Sequence, residues 1–139
     1  MDKGRRMFER IFENDHFIDH VGVEFVALSP GRARVKFEIK KNHLNGLGSV
    51  HGGMLFTLAD IAYGAASNSR GRLALLLNAS MSFIKPARGA VIFAEAEEVS
   101  RSGRHAVYSV SVTDDSGDTV ASFQGMAYVK DKTWDFEAE

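Results

Sequence analysis

The chain of 139 residues has no cysteine. That excludes disulfides, thiolate nucleophiles and thiolate metal sites, and it agrees with a reducing compartment. Neither sign of charge is in excess, 17 Lys and Arg standing against 18 Asp and Glu, so no overall field draws the protein to nucleic acid or to an acidic surface. No apolar run long enough for a signal peptide or a membrane span follows the charged start Met1-Asp2-Lys3-Gly4-Arg5-Arg6. A cytoplasmic protein is the expectation, with neither nucleic acid nor membrane as partner. Its length and its 45% hydrophobic content suit one domain over residues 1–139 with a core of its own.

Missing charge also singles out one stretch. Between Lys41 and Arg70 the only charged side chain is Asp60, inside the small and apolar run from Met54 to Ala66 that His51-Gly52-Gly53 opens. A carboxylate drawn out of water with no charged neighbour is costly, so either a partner comes from elsewhere or the group serves chemistry. The structural alternative has Asp60 bonded to backbone or to Asn45, with the glycines only a tight entry to a helix. The paired glycines, His51 and the neutral polar loop Asn45-Gly46-Leu47-Gly48-Ser49 favour a site.

Periodicity predicts the elements. Met7, Phe8, Ile11 and Phe12 recur at helical spacing, giving an amphipathic N-terminal flank over 6–17. Strand-like runs cover 21–29 and 32–40, the second alternating with Ala33, Val35, Phe37 and Ile39 on one face, and Pro30-Gly31 forms the turn between them. A helix is expected from about Gly52 to Ser67, then strands over 73–84, 90–100, 104–114 and 119–130 as a meander, with residues 131–139 frayed. The connections between the late strands leave no room for helical crossovers, so the expected class is α+β, one antiparallel sheet wrapped around one long helix.

On that helix Leu55, Leu58, Ala59, Ala62 and Ala65 form one stripe, and Gly53, Phe56, Asp60, Tyr63 and Ser67 the opposite one. Both are mostly apolar, so the sheet covers one and a second copy of the chain is the simplest cover for the other. At about 1.5 Å rise per residue, the Gly52-Gly53 amides lie roughly 10–12 Å along the axis from the Asp60 carboxylate. They cannot meet one carbonyl within a single chain. Two such helices antiparallel across a two-fold axis would bring the amides of one beside Asp60 of the other. Free N–H groups and the positive dipole end suit a developing oxyanion there, and Gly52 and Gly53 admit a ligand close to the backbone.

The stretch from Asn45 to Gly53, followed by Leu58-Ala59-Asp60, by Phe83-Ile84-Lys85-Pro86-Ala87 and by the Gly103-Arg104 turn, resembles the hotdog-fold acyl-CoA thioesterases of the phenylacetic-acid-degradation (PaaI-like) branch. The likeness covers the chain from about Phe12 to Val129. It implies a homodimer with a continuous sheet and shared sites, a dimer of dimers as homotetramer, and hydrolysis of an aryl or medium-chain acyl-CoA with no cofactor and no metal. It places the acid, as base or nucleophile, on Asp60, the oxyanion donor on the Gly52 amide, a carbonyl-orienting role on His51, and a water- or thioester-holding role on Asn45. Gly53, Lys85, Pro86, Arg88, Arg101, Ser102, Gly103 and Arg104 fall where the family meets coenzyme A. Where some relatives place a Ser or Thr this chain has Leu76, with Asn78 and Ser80 as candidate substitutes.

Other signals are weaker. Gly46-x-Gly48 misses the dinucleotide fingerprint by one position, and there is neither a phosphate loop nor a Gly-x-Ser-x-Gly elbow. His16 and His20 with Asp15 and Asp19 have metal-ligand spacing but read as a solvated helix end. Two rival functions use the same fold: a non-catalytic acyl-CoA sensor, and an enoyl-CoA hydratase or dehydratase.

Overall fold

The computed structural model describes residues 2–137. Helices α1 (Lys3–Ile11) and α2 (His16–Val21) precede strands β1 (Glu24–Ser29) and β2 (Arg32–Glu38); then come the long helix α3 (Gly52–Asn68) and strands β3 (Arg72–Phe83), β4 (Val91–Ser102), β5 (His105–Thr113) and β6 (Thr119–Thr133). All six strands pair antiparallel in the order β1-β2-β4-β5-β6-β3, and the sheet wraps α3. This is the expected hotdog fold.

The core lies between α3 and the strands' inner faces. Leu58, Ala59, Ala62, Ala65 and Ala66 are fully buried against Val35, Phe37, Ile92, Ala94, Val110 and Val112. Small residues on both sides bring the helix close, and a buried Leu such as Leu58 contributes about 2–3 kcal/mol by its apolar area. The alternation expected in β2 holds at Ala33, Val35 and Phe37.

Four expectations change. The N-terminal flank is two helices, because the Asp15 side chain accepts the Phe17 and Ile18 amide hydrogens and starts α2 afresh. The strand expected from residue 21 starts at Glu24, because Gly22, at φ 77°, ends α2 in the left-handed region. Only β4, β5 and β6 form a meander; β3 pairs with β6 at the sheet edge, and the segment 84–90 crosses to β4, held where Val50 N–H donates to the Ala87 carbonyl. The tail is tied down rather than frayed as far as it is described: β6 runs to Thr133, and the Trp134 indole N–H donates to Asn68 Oδ1 at 2.9 Å. Residues 138 and 139 of that expected tail lie outside the described residues.

The outer strand β3 has a free edge. A bulge between Leu76 and Asn78 interrupts its pairing with β6, and Leu75 and Leu77 beside it are about half exposed. Among the described residues no helix is long and apolar enough to cross a membrane.

Candidate active site

A helix begins with four backbone N–H groups that its own carbonyls cannot reach. At α3 three of them are engaged. The His51 ring caps the helix through Nδ1, which accepts the Gly53 amide hydrogen at 2.9 Å, the His51 carbonyl accepts from Met54 at 2.9 Å in a tight first turn, and the N-cap's own amide donates to the preceding loop; Leu55 N–H, 3.2 Å from the His51 carbonyl, makes the first regular bond of the helix. Of the end amides of α3, only that of Gly52 has no acceptor among the described residues. With Nδ1 accepting, the neutral His51 ring carries its proton on Nε2, and the residue is exposed. His51 is itself anchored by its backbone N–H on the His43 carbonyl at 2.8 Å. The Phe83 ring lies over Gly52, 3.4 Å from where a Cβ would stand.

Asp60 is half-buried midway along α3, and its carboxylate has no hydrogen bond or ion pair among the described residues. Burial pushes its pKa up, and the negative charge of Asp15 pushes it the same way. Asn45 does not hold it. The Asn45 carbonyl oxygen accepts from the Leu47 and Ser49 amides at 2.9 and 3.2 Å, and its amide donates to Ser49 Oγ at 3.0 Å, so both ends of the side chain organise their own loop. Gly52 and Asp60 are eight residues apart on one straight helix, roughly 12 Å, so a single chain does not bring amide and carboxylate to one reacting carbonyl.

The expected coenzyme A residues divide between the two ends of the sheet. Lys85 N–H bonds the Val120 carbonyl, whereas the Arg104 carbonyl accepts from Val129 N–H, nine residues further along β6, or roughly 30 Å. Lys85, Pro86 and Arg88 therefore lie at the end where α3 starts, and Arg101, Ser102, Gly103 and Arg104 form the β4–β5 hairpin at the opposite end. Lys85 is paired with Asp118 at 2.8 Å and Asp114 at 3.6 Å; Arg104 is paired with Asp131 at 2.6 Å, which Arg72 shares. Arg88 and Arg101 make no ion pair among the described residues and are exposed. Leu76 packs against Gly125.

Three features had not been read from the sequence. The Phe83 ring lies beside the Cα side of Gly52. Beside the capped turn a cavity of about 310 Å³ is walled by Phe17, Asn42, His51, Met54 and Thr57. One turn beyond Asp60 the buried Tyr63 hydroxyl has no hydrogen-bond partner among the described residues, and burial pushes its pKa up to about 12. Ser67, the next polar side chain along, donates instead to the Gly64 carbonyl at 3.3 Å. The aromatic and polar residue types were visible in the sequence, but no local pattern marks which of them converge.

A family model described as Thioesterase superfamily matches residues 47–121. Acyl-coenzyme A thioesterase PaaI of Escherichia coli is 30% identical over 119 residues, covering 85% of each chain. The solved E. coli PaaI structure superposes with a TM-score of 0.87 at 27% identity, over 95% of this chain and 99% of its own. A phenylacetic acid degradation protein PaaI from Thermus thermophilus is 40% identical with a TM-score of 0.77, over 82% and 98%. A Streptococcus mutans protein solved bound to acetyl CoA is 27% identical with a TM-score of 0.76, over 81% and 91%.

Proposed function

Because this chain belongs to the thioesterase superfamily, we propose that it hydrolyses an acyl-CoA at a site that two protomers share. The observation that carries the proposal is the pairing, on one helix, of a single N-terminal amide with a half-buried carboxylate, both without a partner among the described residues. The Gly52 amide donates to the thioester carbonyl oxygen and stabilises the oxyanion, with His51 Nε2–H orienting the same group. The partner's Asp60 takes a proton from water as the water oxygen attacks the carbonyl carbon. When the tetrahedral intermediate collapses, the C–S bond breaks, the electron pair leaves on sulfur, the proton held by Asp60 passes to the departing thiolate, and the products are the free acid and coenzyme A with the carboxylate restored.

Sheet geometry supports the sharing. If the β3 edges of two copies pair antiparallel about a two-fold axis, the hairpin end of one protomer lies beside the Lys85 end of its partner, which reunites the two basic sets. Arg88 and Arg101 then remain available for the nucleotide phosphates, for which the guanidinium fork is suited. The exposed Leu75 and Leu77 would be covered by the same contact. We extend the proposal to aryl or medium-chain acyl groups, no cofactor, and a dimer of such dimers in the cytoplasm. The test is thiol release from a panel of aryl and aliphatic acyl-CoAs by the parent protein and by Asp60→Ala. Release by the parent and its loss in the variant are expected; an inert parent would overturn the reading.

A further inference from the structure

The N-terminal flank runs along α3 in the opposite direction, with the Phe12 ring 3.7 Å from the position of a Cβ on Gly64 and Phe17 sharing a cavity with Met54 and Thr57. That cavity, about 310 Å³, is also walled by His51 and Gly53, the two neighbours of the open Gly52 amide. A group whose carbonyl oxygen is held at that amide therefore has this space beside it.

Helix α2 fixes the Phe17 wall. The Asp15 side chain accepts the Phe17 and Ile18 amide hydrogens, Ile18 is buried in the core, and the Val21 carbonyl accepts the His43 Nε2 proton at 2.8 Å. Phe17 itself stays 56% exposed. An aromatic ring held in place yet uncovered offers a ligand apolar area at little ordering cost. The α3 side presents Met54, whose thioether suits an aromatic ring, and Thr57, whose hydroxyl already donates to the Gly53 carbonyl at 2.8 Å. His43 lines the cavity with Nδ1 taking the Lys40 amide hydrogen at 2.9 Å and Nε2 on Val21, so its ring asks for no polar partner. The exposed His20 and Asn42 supply a polar rim. The volume stands at the low end of small-molecule pockets, roughly 300–1,000 Å³, which is room for an acyl group without its coenzyme.

We propose that this cavity seats the acyl group of the substrate, a single ring fitting it best, and that Phe17 is a specificity-determining residue. The flank, outside the matched family segment 47–121, thereby becomes part of the site.

This rests on the Gly52 amide receiving the thioester carbonyl, and the test separates the two claims because it needs no turnover. Ketone thioethers of coenzyme A, with a methylene between sulfur and carbonyl, cannot be hydrolysed; three of them, carrying phenyl, hexyl or methyl on the carbonyl, are titrated calorimetrically into parent and variants. The phenyl ketone is expected to bind the parent most tightly. Phe17→Ala removes the wall from an exposed position, and Thr57→Trp fills the space from the other side. Each should cut the margin of phenyl over methyl by about tenfold or more, whereas Phe17→Tyr, which keeps the ring, should keep the margin. A margin unmoved in both Phe17→Ala and Thr57→Trp would overturn the proposal, and a hexyl ketone bound as tightly as the phenyl one would overturn the ring preference. A margin that falls as expected in a protein releasing no thiol from acyl-CoAs would uphold the pocket and sink the hydrolytic reading alone.

Discussion

The His51 ring folds back on its own helix so that Nδ1 takes the Gly53 amide hydrogen, and a Cβ on Gly53 would stand 3.1 Å from that nitrogen. The two glycines of the helix entry therefore have different tasks. Gly53 makes room for the capping ring, and Gly52 presents the amide left open.

Gly52→Pro tests the open amide with little collateral damage. Proline is accepted at the first position of a helix, and His51, at φ −59° and ψ 136°, already has the backbone that a following proline requires. Only the N–H is removed. Loss of one oxyanion donor lowers turnover by about a hundredfold to a thousandfold in acyl transfer, and that drop is expected here at a near-parental melting temperature. Gly52→Ala, which keeps the N–H, should retain most of the activity. Thiol-release kinetics and thermal melts on both variants check this.

Gly53→Ala is expected to act through the cap. The new methyl displaces the His51 ring and frees the Gly53 amide, and loss of a helix cap costs about 1 kcal/mol. Denaturant titration should show that loss. His51→Asn, which can cap without a ring, should keep stability near the parent while losing the Nε2–H contribution to turnover.

Asp60→Asn is expected to raise stability while it removes activity. Burial and the Asp15 charge lift the folded-state pKa of Asp60 above its unfolded value, so the folded chain holds this proton more tightly. Stability from that difference is fully present below the ordinary carboxylate range and is lost as pH rises through the raised folded value. At neutral pH the native state carries a half-buried charge with no cation beside it. The Asn variant should therefore melt above the parent at neutral pH, and the margin should close in acid. Hydrolysis should fall about a hundredfold or more.

Helix α3 and strand β2 were legible because each writes its period in apolar residues: Leu55, Leu58, Ala59 and Ala62 for one, Ala33, Val35 and Phe37 for the other. The place of β3 was not. A short connection after Phe83 reads as a tight turn whether the chain doubles back or crosses the end of the sheet, and only the pairing of β3 with β6 distinguishes the two. Asp60 and Gly52 stood out through local contrast, a lone charge and a paired glycine. The engagement of Lys85 and Arg104 did not, because the acids that hold them, Asp118 and Asp131, lie more than 25 positions away in the chain. Asn45 looked available for a different reason: its partners are only two and four residues away, but nothing in residue type reveals that the two ends of its side chain close on Leu47 and Ser49.

Asn68 joins the end of α3 to the tail and to β3. Its Oδ1 accepts from Ala74 N–H and from the Trp134 indole, both at 2.9 Å, and its amide donates to the Gly64 carbonyl at 2.9 Å. Asn68→Ala would strand several of these buried groups at once, at a cost of about 3 kcal/mol, whereas Trp134→Phe removes a single donor and should cost about 1 kcal/mol. Denaturant midpoints for the two variants should fall in that order. Equal, negligible losses would mean that the tail is not docked in solution.

Subunit mixing decides whether the reaction centre is shared. Gly52→Pro and Asp60→Asn chains each lack one half of it, so either homodimer is expected to be inactive. If the amide of one protomer works with the carboxylate of its partner, a mixed dimer has one site with both lesions and one with neither. Random reassociation of equal amounts makes half the dimers mixed, and activity should return to about a quarter of the parental value. A site confined to one chain would recover nothing, since every chain carries a lesion. The recovered activity should vanish when Leu77→Glu is added to both chains, because a charge on the β3 edge opposes strand pairing. Size-exclusion chromatography of Leu77→Glu should then show a smaller assembly than the parent.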